Sequence, residues 1–89
     1  MSDSQRALPA VDFSSFIVSL ASSGLVALGE QPDPSAKIHR ANLAMARHTI
    51  DVLGVIEEKT KGNLNKDEAH LLETLTYELR MKYLEHAKA

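Results

Sequence analysis

The stretch DFSSFIVSLASSGLVALGE, residues 12–30, decides how this chain folds. Asp12 is a good helix N-cap, Gly29 stands where a left-handed residue ends a helix, and the residues between predict a helix over 13–28. Phe13, Phe16, Ile17, Leu20, Gly24, Ala27 and Leu28 fall at helical spacing and define its core face. The opposite side is not charged. It carries Ser15, Ser19, Ser22 and Ser23 interleaved with Val18, Leu25 and Val26. A helix with no charge between its caps is normally covered on more than one side. The competing reading is a membrane span. Sixteen residues reach only about 24 Å at ~1.5 Å per residue, against a hydrocarbon core of about 30 Å, and the serines argue further against it. Neither an aromatic belt nor a flanking basic cluster helps that reading.

Downstream, Asp33 followed by Pro34 pairs a capping carboxylate with proline at a first helical position, and predicts a second helix over 34–61, ended by Gly62. Its apolar arc comprises Ile38, Met45, Thr49, Ile50, Val52, Leu53 and Ile56, with Ala41, Leu43 and Ala46 at the edges. Asn65 and Glu68 read as a capping box, opening a third helix over 66–86. Leu72, Leu75, Leu79 and Tyr83 form the inner stripe of that helix. A second stripe, Tyr77, Met81 and Leu84, lies well off it and has little use in a lone three-helix domain. Residues 1–11 read as a disordered tail without a signal-peptide pattern, and 12–89 as a single domain. The expected class is all-α: a three-helix domain with two long helices, assembled as a homo-oligomeric helical bundle.

The chain has 89 residues, no cysteine, and a formal net charge of −2. A domain of this length buries only about 60–65% of its unfolded surface, so its stability is marginal without help. Disulfides and thiolate metal sites are excluded, which leaves self-association as the main substitute. The charge offers no general attraction to nucleic acid or anionic lipid, and two Phe, two Tyr and no Trp make a poor base-stacking platform.

Several motifs invite chemistry and fail on context. Asp67-Glu68-Ala69-His70 spells a helicase box, yet it opens an amphipathic helix, where acids already suit the helix dipole, and no phosphate-binding loop accompanies it. Of His39, His48, His70 and His86, His48 pairs with Asp51 and His70 with Asp67 at helical spacing, each one imidazole and one carboxylate, short of a zinc ligand set. The Lys59-Thr60-Lys61-Gly62 turn places cations at a helix C-terminus, whereas anions favour the N-terminal end. No nucleophile, base and orienting acid can be assembled. The sequence therefore predicts no enzyme, no cofactor and no metal.

Phe13 to Ala21 resembles the opening motif of short bacterial proteins grouped as domain of unknown function 1844. Leu28-Gly29-Glu30, the run Asn42 to Asp51, the run Glu58 to Leu64, and Leu72, Leu75, Leu79 and Arg80 are similar to later parts of that pattern. The resemblance covers residues 12 to 84. It implies a bacterial cytoplasmic protein and brings no activity, cofactor or catalytic residue.

The expected function is non-catalytic self-association, a dimer first, through Ser15, Val18, Ser19, Ser22, Val26, Tyr77, Met81 and Leu84. A different protein could use the same faces, and no membrane contact is expected. The alternative is a nucleic-acid or anionic-ligand binder using Lys37, Arg40, Arg47, Lys59 and Lys61.

Overall fold

Asp12, Asn42 and Asn65 each start a helix, and in each case the side-chain oxygen accepts from the backbone amide three residues on. The computed structural model describes residues 10–30 and 42–88. Three helices and no strand occur among them: α1 (Phe13–Ala27), α2 (Leu43–Lys59) and α3 (Lys66–Lys88), each packed on both others. The start of α3 is the reciprocal box: Glu68 N–H donates to Asn65 Oδ1 at 2.8 Å, while Asn65 N–H donates to Glu68 Oε1 at 3.0 Å. At the end of α1, Gly29 takes φ 78°, its N–H bonds the Val26 carbonyl, and Glu30 N–H bonds the Leu25 carbonyl. Those two bonds satisfy carbonyls the helix would otherwise leave free.

The second helix differs from its sequence expectation. It begins at Leu43, because Asn42 is extended (φ −123°, ψ 91°) and spends its side chain on the Met45 amide. The start signal at Asp33 and Pro34, with Ile38 and Ala41, lies outside the described residues. Asn42 N–H also bonds the Ala27 carbonyl. The chain therefore enters α2 beside the end of α1.

The core is Ile17, Ala21 and Leu28 of the first segment, Ala46, Ile50 and Leu53 of α2, and Leu72 and Leu79 of α3. Phe13, Leu20, Ile56, Leu75 and Tyr83 pack at its margin. Two core assignments from the sequence are corrected. Phe16 is 49% exposed and Met45 53%, because each lies a quarter-turn or more from the buried line of its helix, Ile17–Ala21–Gly24 in α1 and Ala46–Thr49–Ile50–Leu53 in α2. Ala21 is buried instead, completing the first of those lines. Thr49 and Thr76 are buried without cost to polar balance, since each hydroxyl donates to the carbonyl four residues back.

Gly24 sits where the three helices converge. A methyl placed there would lie 2.9 Å from Leu79 Cδ2 and 3.2 Å from Thr49 Cγ2, so the absence of a side chain sets how closely α1 approaches α2 and α3. Gly54, inside α2, has nothing within 4 Å of the same position. Glu30 forms a second tie between α1 and α3: Lys82 Nζ lies 2.9 Å from one carboxylate oxygen and His86 Nε2 3.0 Å from the other. Hydrogen bonding to Lys82, then to His86, holds the Glu30 carboxyl below its usual range, and Glu30 raises Lys82 in turn.

The two glycines should respond oppositely to alanine. Gly54→Ala removes a helix-interior glycine at no steric cost and should raise stability by about 0.5–1 kcal/mol, several degrees in Tm. Gly24→Ala gains the same propensity but must displace buried Leu79, at about 1–3 kcal/mol, and should lower Tm. Thermal melts of both variants decide it; a rise for both would show that the junction is loose. A pH series tests the Glu30 clamp. A lowered carboxylate pKa contributes stability above its unfolded value, lost as pH falls through the folded one. Glu30→Gln should therefore melt below wild type at neutral pH, with the gap closing in acid. An equal gap at every pH would contradict the clamp.

Candidate interaction surfaces

The inner line of α1, through Ile17, Ala21 and Gly24, turns the opposite side of the helix to solvent. Ser15 and Ser19 are exposed there, Val18 is 47% exposed at the flank, and Ser22 and Val26 are half-buried. No side chain from Phe13 to Ala27 carries a charge. Phe16, missed as a surface residue by the sequence reading, extends this uncharged area, and together with Val11, Asp12, Ser15 and Ser19 it lines a shallow groove at the start of the helix. Ser23 turns its hydroxyl back to the Ser19 carbonyl at 3.2 Å, so part of the serine content is satisfied within the helix.

A second surface runs along α3. Tyr77, Met81 and Leu84 are 62%, 43% and 48% exposed, at i, i+4 and i+7. Lys82 and His86, which reach Glu30 next to α1, project from the other flank of the same helix. Leu84 instead lines a cleft with residues of α2. The two groups of candidate interface residues therefore occupy different sides of the molecule.

That cleft brings together Arg47, Ile50 and Asp51 of α2 with Arg80, Tyr83 and Leu84 of α3. The Tyr83 hydroxyl, and then Asp51, hold the Arg47 guanidinium above its ordinary pKa, and the Arg47–Asp51 pair spans 3.6 Å. Both partners of that pair are mostly exposed, so its contribution to stability is small. At the opposite end of the α2–α3 seam, Glu57, Lys61 and Glu73 line a second groove over Leu64 and Leu72.

The basic residues singled out in the sequence do not form one site. Lys37 and Arg40 lie outside the described residues. Arg47 stands near the start of α2 and Lys59 at its end, about 18 Å apart along the helix. Lys59 and Lys61 are exposed. Arg80 was not singled out for anion contact; its proximity to Arg47 comes from the antiparallel pairing of α2 and α3, which no local pattern announces. Among the described residues, no group of three histidine, aspartate or glutamate side chains could hold a metal ion. No described helix is long and apolar enough to cross a membrane.

Searches of curated proteins and of solved structures return no match. A family model does match, over residues 10–85, which takes in all of α1 and α2 and nearly all of α3. With that span covered, the chain belongs to the family described as domain of unknown function DUF1844.

Proposed function

We propose that this protein is a non-catalytic interaction module that assembles with copies of itself, with the outer face of α1 at or beside a subunit contact. The observation that carries the reading is the charge-free α1, buried along one line and open to solvent along the other. Apolar surface removed from water contributes about 25 cal/mol per Å², so an oligomer gains by covering what the monomer leaves wet. Uncharged, mostly small side chains also let a second helix approach without stranding a charge. Among the described residues, eight large hydrophobic side chains are at least 43% exposed, spread over all three helices and the segment before α1, and they strengthen the case. The reading includes a cytoplasmic location and a dimer as the simplest closed assembly. Solution mass by light scattering, at two protein concentrations about tenfold apart, tests it. Twice the chain mass or more is expected, and Val18→Asp should shift the equilibrium toward monomer without lowering helicity. A monomer at both concentrations would refute the reading.

A second reading, anionic-ligand binding, is favoured by one observation: Arg47 and Arg80 line a common cleft with Tyr83, and only one carboxylate, Asp51, stands among them. It predicts binding of a mixed oligonucleotide that weakens steeply as salt rises from about 50 to about 200 mM, and that Arg80→Glu removes. Absence of binding at the lower salt would eliminate it.

A further inference from the structure

The stripe on α3 has a property beyond exposure: its two ends carry opposite charge. Glu73 precedes Tyr77 by one turn, and Lys88 follows Leu84 by one turn, both exposed. Arg80 sits between them on the same flank, beside the cleft that Leu84 lines. A surface that is acidic at one end, apolar in the middle and basic at the other complements a copy of itself turned end for end. That is the requirement of a two-fold contact, where each patch must meet its own image.

The apolar residues set the register. Tyr77, Met81 and Leu84 cover one another across an antiparallel pair of α3 helices when Tyr77 lies opposite the partner's Leu84. The two-fold axis then passes between Arg80 and Met81. With the axis there, Glu73 falls opposite the partner's Lys88 with no further adjustment, at both ends of the seam. Arg80 and the partner's Arg80 flank the axis along one exposed edge of the seam, where water and salt screen their like charges, and the two Met81 side chains meet along the other edge. The stretch from residue 73 to residue 88 spans about 24 Å of helix at ~1.5 Å per residue, four turns of contact. The pairing leaves the core positions Leu72, Thr76 and Leu79 facing inward, because they occupy the other side of α3.

We infer that α3 forms a two-fold antiparallel seam with α3 of a second copy, in which Tyr77 packs on the partner's Leu84 and Glu73 pairs with the partner's Lys88. The inference rests on the self-association reading and adds to it the surface, direction and register of one contact. The seam is separate from the α1 face, so one copy can occupy each.

Charge reversal tests it at two exposed positions outside the buried core. Glu73→Lys and Lys88→Glu each set like charges against each other twice per dimer, and each should raise the dissociation constant about tenfold or more, measured by sedimentation equilibrium at low salt. The double variant, Glu73→Lys with Lys88→Glu, restores opposite pairing and should return the constant to near the wild-type value. Met81→Asp, at the centre, should abolish this contact, and circular dichroism of each variant checks that the helices persist. A wild-type chain that stays monomeric removes both the self-association reading and the seam. A wild-type oligomer indifferent to both single reversals, or weakened by them without rescue in the double variant, overturns the seam alone.

Discussion

Everything in this fold depends on how closely three helices approach at Gly24. Leu79 from α3 and Thr49 from α2 occupy the space a side chain would take, so the junction is set by an absence at one position. With α1 held that near, Ile17, Ala21 and Leu28 are buried, and the other side of the helix is left facing outward. Packing along its apolar line is what supports α1, as tertiary contacts support most helices in proteins more than propensity does. The helix has neither an acidic side chain in its first turn nor a basic one in its last, and its ends rely on the Asp12 cap and the Gly29 turn.

The functional consequence follows from size. A chain of 89 residues cannot surround three helices with apolar contacts on every side. One side of α1 and one flank of α3 remain partly wet; no charge breaks the α1 side, and on α3 Arg80 stands beside the apolar stripe. Natural surfaces usually interrupt such areas, because they invite association. Here the interruptions stand at the edges: Glu73 and Lys88 bracket the α3 stripe, and Asp12 and Glu30 bracket α1. Edge charges of this kind act on register and partner choice more than on affinity.

Much of this architecture could be read from local signals. Asp12, Asn65 with Glu68, Gly29 and Gly62 mark helix ends through interactions confined to a few residues, and the structure contains each of them. The core stripe of α3 was legible for a related reason, since Leu72 and Leu79 recur at the period of the helix. Where two signals competed, the sequence was ambiguous. Asn42 lies within an unbroken run of helix-forming residues, and its role as an N-cap shows only once its side chain is seen on the Met45 amide. Phe16 and Met45 were misplaced because an apolar residue beside a core line looks the same in sequence whether or not a neighbour covers it. The meeting of Arg47 with Arg80, and of Glu30 with Lys82 and His86, joins residues far apart in the chain; only the packing of helices reveals it. The exposed stripe of Tyr77, Met81 and Leu84 was legible as surplus, though its separation from the α1 face was not.

The central claim is that the uncharged faces left open by a single chain are covered by other copies in solution. The most direct measurement is the relaxation of side-chain methyl protons by a soluble, uncharged nitroxide, read by NMR at dilute and concentrated protein. The account predicts that the methyls of Val18, Met81 and Leu84 are strongly relaxed when the protein is dilute. On concentration they should become shielded, while the methyls of Val55, exposed on α2, stay accessible. Equal accessibility of all four residues at both concentrations would contradict it.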